Sequence, residues 1–420
     1  MKFGVDDFAV WHSGMRLPRN GSYTTISRLA VRELFSSKSG LRGYPMIETA
    51  SALSPPFSQP THTGMLYGFW YPAMLARDLK AGQIRATTLL NLPIAIGKDA
   101  QARAFALADL CPHRAMPLSF GRVCGSEVEC CYHGWKFDAH SGQCRAIPSL
   151  ADGANVKVDR IFAKGYACAE RDGYIWVYVP DPEARLTNDR EQEPPPVPEL
   201  PVFSERYRMT HVAAEFPSDV DQSVLGLLDP AHGPYVHQSW YWRSSHNLRN
   251  KEKTFEPIAN GFRMVPHAPS ANSAAYKLLG VYGQPVTTTI DFVLPNQRTE
   301  MIRCGRWWFT NRTVITPIHG DLCRLDFCAA WNLFGWVPFV TPIFRAFARR
   351  FIAQDQRNMD RQAVGLKTDP PHGPPMMLVG DADRQARWYF ELKEALLRSR
   401  RTGEPMVHPL SGPVTLRWRT

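Results

Sequence analysis

At 420 residues the chain is long enough to bury more than one core, and its length sets an expectation of two or three domains. Apolar residues make up 44% and charged residues 21%, which excludes a disordered or fibrous chain and fits a soluble globular one. The formal net charge is +10, and from Ile343 to the end fourteen Lys/Arg stand against eight Asp/Glu, yet no nucleic-acid-binding motif accompanies the excess, so an acidic protein partner is the expected use of the charge. Nine cysteines follow a start, MKFGVDDFAVWHSG, that lacks a secretory signal; a disulfide framework is therefore not expected, and a reducing, cytoplasmic compartment is.

Residues 1–64 carry little pattern beyond a short helical period around Ile26 to Phe35 and a Pro/Ser linker, SALSPPFSQPTHTG. A packing arm between subunits, an organelle-type presequence and an upstream start codon each account for such an extension. From Tyr67 to Pro182 short strands alternate with turns, broken at Gly97-Lys98-Asp99 and at a hairpin Asp172-Gly173. Within this β region, residues 65–182, lie two short loops that each offer one Cys and one His. Cys111-Pro112-His113 has one residue between the two, and Cys130-Cys131-Tyr132-His133 has two. The interval between the loops accommodates one strand-turn-strand excursion, so their tips can return to face each other. Two thiolates and two imidazoles arranged this way suit a [2Fe–2S] cluster with sulfur on one iron and nitrogen on the other. The competing reading is zinc, although zinc fingers pair Cys with Cys and His with His along the chain.

An acidic, Pro-rich linker, residues 183–205, leads to a second region, 206–402, followed by a tail, 403–420. Strands are expected at Arg208 to Ala214, Gly261 to His267 and Thr287 to Leu294, alternating with two helical blocks, which implies an antiparallel sheet flanked by helices. In the first block Ser218-Asp219-Val220-Asp221 reads as a capping box with Asp in place of Glu. Asp229 and His232, three apart, are expected on one helical face. His237 lies roughly 140° away on an unbroken helix, so Gly233-Pro234 must break the helix for the two imidazoles to converge. A carboxylate would complete a set with open positions suited to non-haem Fe(II), and the second block, FRAFARRFIAQDQRNMDRQAVGL, offers Asp355 and Asp360. The apolar run Phe327 to Phe344 is interrupted by Asn332, Gly335, Pro338 and Pro342. It makes a poor membrane span and reads as a buried strand and loop, compatible with a pocket wall. Arg345, Arg349 and Arg350 behind it leave shallow contact with an anionic membrane surface as the alternative. DADRQARWYFELKEALLRSRR reads as an amphipathic helix capped by Asp381.

CPHR, then CCYHGW, then a Gly-rich turn and an Ile-Pro strand closely resemble the Rieske iron–sulfur family. With Asp-x-x-His-x-x-x-x-His downstream and a late Asp after Gln, residues from about Met65 to Arg400 resemble the catalytic subunit of the Rieske non-haem iron oxygenases, in their monooxygenase and demethylase branch. The resemblance implies an α+β chain: a Rieske β domain with its cluster loops, then a helix-grip catalytic domain. By it, Cys111, His113, Cys130 and His133 hold the cluster, and Cys131 has no ligand role and is expected to be a neighbouring buried thiol. His232, His237 and Asp355 bind mononuclear Fe(II), with Asp360 as the rival carboxylate. Asp229 is the acid bridging the cluster of one subunit to the iron of the next, in a closed homotrimer. The implied reaction takes electrons from NAD(P)H through a ferredoxin or flavin reductase, uses O₂, and hydroxylates or demethylates a small aromatic or polycyclic compound. Many members carry Asn three residues before the bridging acid; here it is Gly226. A Rieske electron-transfer or redox-sensing protein without oxygenase turnover is the alternative.

Overall fold

The computed structural model describes residues 64–182, 193–237, 248–268, 284–334, 337, 339–368 and 376–420. All but the last residue of the expected 1–64 extension, and residues 183–192 of the expected linker, lie outside the described residues.

Residues 69–179 form eleven short strands: β1 (Phe69–Leu75), β2 (Ile84–Leu89), β3 (Leu92–Lys98), β4 (Ala104–Ala108), β5 (Arg122–Cys124), β6 (Glu127–Glu129), β7 (Lys136–Asp138), β8 (Cys144–Ala146), β9 (Gly165–Tyr166), β10 (Cys168–Arg171) and β11 (Tyr174–Val179). They pair antiparallel in three sheets, ordered β1-β11-β10, β2-β3-β4-β9 and β5-β6-β7-β8. The first two sheets share a core of Tyr71, Leu89, Ile94, Ile96, Ile175 and Val177, while Phe105, Leu107, Val128 and Phe137 form a second core under the third. The hairpin expected at Asp172-Gly173 is present, with both residues at positive φ (+51° and +76°) as a tight two-residue turn requires.

The second region is one antiparallel sheet of β12 (Arg208–Phe216), β13 (Asn250–Ile258), β14 (Gly261–His267), β15 (Val286–Val293), β16 (Gln297–Cys304), β17 (Trp307–His319), β18 (Leu322–Trp331) and β19 (Val414–Arg419). Its strand order is β12-β18-β17-β16-β15-β14-β13-β19. Residues 403–420 are thus not a free tail, because β19 pairs with β13 and extends the sheet edge. β17 and β18 are buried along most of their length, as strands covered on both faces must be. Register explains how. Phe292, Ile315, Leu325 and Phe327 point to the helices α1 (Val220–Leu228), α2 (Gly233–Val236), α3 (Val340–Leu366) and α4 (Arg384–Thr402). Trp308, Val314, Cys328 and Ala330 point the other way and pack on Trp70, Tyr174 and Trp176 of the β-rich region. The run Phe327 to Phe344 accordingly begins in buried β18 and ends in α3.

Three local expectations are corrected. Asp219, not Ser218, caps α1: its carboxylate accepts the Gln222 N–H at 2.8 Å. The chain leaves helical geometry at Asp229, one residue before Pro230, so Asp229 and His232 do not share a helical face; Pro234 instead sits in the first turn of α2, where a missing N–H costs nothing. Asp381 does not cap α4; the residue before that helix is Asp383, and Asp381 accepts the Arg417 N–H of β19.

α3 buries Ala348, Ile352, Met359 and Ala363 as one helical stripe, and β12 fixes its height through Arg345 Nε to Thr210 Oγ1 (2.9 Å) and Gln356 Nε2 to the Glu215 carbonyl (3.1 Å). α1 is tied to α4 by Asp221, whose Oδ1 accepts from Lys393 Nζ (2.6 Å) and Tyr389 Oη (2.5 Å), all three being buried. The contact between the two regions centres on Arg312, 2% exposed. It donates to Asp172 Oδ2 (2.9 Å) and the Pro198 carbonyl (3.1 Å) and lies over the Trp176 ring at 4.8 Å. Arg312→Met should leave the Asp172 carboxylate without its charge partner and cost about 3–5 kcal/mol, read as a lowered urea midpoint. Arg417→Met, at an exposed ion pair with Glu252, should cost only about 0–1 kcal/mol.

Candidate metal centres

The two Cys/His loops have the same backbone construction. Cys111 N–H donates to the Met116 carbonyl and Cys130 N–H to the Trp135 carbonyl, each five residues on and each at 2.8 Å. Ala115 N–H returns to the Cys111 carbonyl (2.9 Å), and Gly134 N–H to that of Cys130 (3.0 Å). Both return residues have positive φ, +54° and +68°, and a Cβ on Gly134 would crowd Pro148 at 3.3 Å. The first loop follows β4, and the second connects β6 to β7. Cys111 and Cys130 are 3% and 2% exposed with their thiols in hydrogen-bond contact, and the His113 and His133 rings lie 4.5 Å apart.

The four side chains therefore meet as a thiol pair and an imidazole pair. One tetrahedral ion would hold all four donor atoms within about 4 Å of one another. Among the described residues, only His232, His237 and Asp355 group three or more donor atoms within 4.8 Å, so the Cys/His set is too open for single-ion zinc and fits a two-iron cluster. Two further features fit. Burial, aided by the Cys130 thiol, pushes Cys111 up to about 11, so metal binding must displace a proton there. Trp135, stacked on His113 at 4.6 Å and 4°, has its indole N–H buried without a protein acceptor. Burial and the His133 and Arg114 charges keep His113 below its ordinary value, hence neutral. Cys131 is exposed, not buried as expected, because it sits on the loop between the buried Cys130 and the tip at Tyr132.

The second centre depends on the chain break after α1. Asp229 ends that helix, its N–H donating to the Leu225 carbonyl at 3.0 Å. The break turns His232 back so that its Nδ1 meets the Asp229 carbonyl at 2.7 Å, and α2 carries His237 round to the same point. The two Nε2 atoms are 3.2 Å apart; Asp355 Oδ1 lies 3.1 Å from His237 Nε2 and 3.8 Å from His232 Nε2. Cis ligands about 2.1 Å from one ion stand about 3 Å apart, so the three donors are spaced for a shared ion and occupy one face of it. Burial lowers His232 and outweighs the opposing pull of Asp355 and Asp229, which keeps the ring neutral and able to ligate at neutral pH. Asp360 is exposed and outside the donor group, which favours Asp355 of the two candidates.

Asp229 is placed differently from the expectation that its carboxylate orients His232. The backbone carbonyl does so, while Oδ1 accepts the Ala231 N–H (2.7 Å) and Oδ2 stands 3.7 Å from His232 Nδ1 on a side chain that is 37% exposed. Gly226 is exposed, and a Cβ there would meet only Met359 Sδ at 3.7 Å, an ordinary contact. Sequence reasoning assigned no role to Phe351, which stacks on His237 at 3.8 Å, or to Gln354, whose Oε1 is 3.0 Å from His237 Nδ1. Their spacing from Asp355, i−4 and i−1 on one helix, was the available signal.

Comparison with known proteins agrees with this geometry. Residues 69–161 match the Rieske [2Fe-2S] domain family. Chlorophyllide a oxygenase of Chlamydomonas reinhardtii is 32% identical over 182 residues, 42% of this chain and 25% of that protein. The 4beta-methylsterol monooxygenase of Methylococcus capsulatus is 35% identical over 119 residues, 28% of this chain and 32% of that protein. The chain thus spans a quarter to a third of the length of these curated relatives. The NdmA QL mutant of Pseudomonas putida CBB5, solved with theobromine, shares the fold with a TM-score of 0.62 at 20% identity, over 83% of this chain and 96% of that one. Residues 69–161 are thus a Rieske [2Fe-2S] domain, and over 83% of the chain the fold is that of the solved NdmA structure. Among the described residues no helix is long and apolar enough to cross a membrane.

Asp355→Ala should abolish binding of the mononuclear metal and leave the visible absorption of the cluster unchanged. Metal analysis beside that spectrum checks this, and full retention of the metal would return the role to Asp360.

Proposed function

We propose that this chain is a terminal oxygenase component that hydroxylates or demethylates an aromatic or polycyclic substrate with O₂. The observation that carries the reading is the convergence of the His232, His237 and Asp355 donor atoms on one point, in the same chain as a Rieske domain. In this reading Cys111, His113, Cys130 and His133 hold a [2Fe–2S] cluster, and His232, His237 and Asp355 hold Fe(II). When bound, the cluster supplies one-electron transfer and the Fe(II) supplies O₂ activation.

The protein's own groups supply geometry and exclusion of water. Carbonyl oxygens hold both imidazole Nδ1 atoms, which leaves both Nε2 lone pairs free to ligate. Phe351 covers one face of His237, and Phe344, two turns earlier on α3, packs against Phe309 of β17 and Trp331 of β18. Such walls suit a large apolar substrate, in keeping with relatives named for chlorophyllide a and a methylsterol. The exposed carboxylate edge of Asp229 is free to accept an N–H from a Rieske histidine of a neighbouring subunit, which supports a homotrimer with Asp229 as the bridge. Electrons come from NAD(P)H through a ferredoxin or flavin reductase, an acidic partner for a chain of charge +10. The nine cysteines, all free, fit a reducing compartment such as the cytoplasm.

Single-turnover measurement on the chemically reduced protein tests the assignment. Asp229→Asn should keep both metals yet slow cluster oxidation by O₂ and substrate at least tenfold. Normal rates would remove the bridge, and failure of the native protein to oxidise any substrate would favour a Rieske electron-transfer protein.

A further inference from the structure

His232 and His237 are oriented by unlike means. His232 Nδ1 meets a backbone carbonyl, that of Asp229, which no substitution removes. His237 Nδ1 meets a side chain, Gln354 Oε1, at 3.0 Å. Gln354 precedes Asp355 on α3, and Phe351, one turn earlier, stacks on the same imidazole at 3.8 Å and 14°. One turn of α3 thus presents three groups to one histidine: a ring against its face, a carbonyl oxygen at its Nδ1 and a carboxylate 3.1 Å from its Nε2. Residues 351, 354 and 355 share a helical face, so this is a consequence of the 3.6-residue turn.

The two ring nitrogens of His237 cannot both carry a proton if the residue is to bind a metal. With the proton on Nδ1, the amide oxygen of Gln354 accepts it and Nε2 keeps its lone pair. With the proton on Nε2, the Gln354 amide would turn its NH₂ to Nδ1, and Nε2 would have no pair to offer.

We propose that Gln354 is a positioning residue: it fixes the Nδ1–H tautomer and the ring angle of His237, and so sets how tightly the mononuclear site holds its metal. Its acceptor is neutral, so it orients the ring without adding a second negative charge beside Asp355. The proposal rests on the metal-site reading above.

The test is equilibrium dialysis of the cluster-loaded protein against Co(II), with bound cobalt measured per chain. Wild type should bind one Co(II), and Asp355→Ala should not. Gln354→Met, of similar volume but without the acceptor, should bind Co(II) about 10–100-fold more weakly. Gln354→Glu, which restores an acceptor oxygen, should return within about threefold of wild type. Cluster absorption and unfolding midpoint of the metal-free proteins should match. Should Gln354→Met fail to fold, Gln354→Asn withdraws the same amide by about 1.5 Å and carries the same expectation. Wild-type affinity in Gln354→Met would overturn the proposal. Equal weakness in the Met and Glu variants would also overturn it, because packing alone would then explain the loss. A wild-type protein that binds no Co(II) would instead remove the metal site itself, and this inference with it.

Discussion

Two imidazoles five residues apart on a continuous helix point in different directions, and the second centre exists because the chain does not allow that helix to continue. Pro230 and Pro234 stand on either side of His232, and the backbone leaves helical geometry at Asp229 before either is reached. The carbonyl freed at that break receives His232 Nδ1, so one backbone event both turns the ring and sets its tautomer. α2 is one turn long and serves to bring His237 back to within 3.2 Å of His232. The site thus follows from where helix propagation fails, and its third member comes from a long helix whose height on the sheet is set independently.

That height is fixed by the fold. The eight-stranded sheet is covered on one face by the helices and on the other by the cluster-bearing region, and its two central strands are buried on both sides. Burying Arg312 in that contact is costly unless its charge is matched, and Asp172 matches it from the tip of the 172–173 hairpin. The turn that closes a hairpin in the first region is therefore also what anchors that region to the sheet. On the opposite face Asp221 holds α1 to α4 through Lys393 and Tyr389, eight residues before the break at Asp229 that forms the metal site.

Much of this was legible in the sequence because it is written in local spacing. Both Cys/His loops, the 172–173 turn and the His232/His237 pair with its carboxylate on a later helix follow from residue type and interval. What escaped depends on three-dimensional juxtaposition. β19 could not be told from a tail, since its only reason to be a strand is β13, 169 residues earlier at the Asn250↔Arg419 pair. Asp381 reads as a helix cap from the sequence because nothing local reveals its engagement with Arg417. Gln354 and Phe351 sat beside a recognised ligand, yet their roles depend on which face α3 turns to His237, and that face is set by β12. The expected roles of Asp229 divide: the carbonyl orients His232, and the carboxylate is left facing outward.

The oxygenase reading requires one chain to carry two separate iron centres of different kinds. Iron and acid-labile sulfide per chain, measured on anaerobically purified protein reconstituted with Fe(II), test it most directly. About three irons to two sulfides are expected, two irons in the cluster and one held by His232, His237 and Asp355. About two irons to two sulfides would mean that the second centre binds no iron, and the oxygenase reading would fall while the Rieske domain remained.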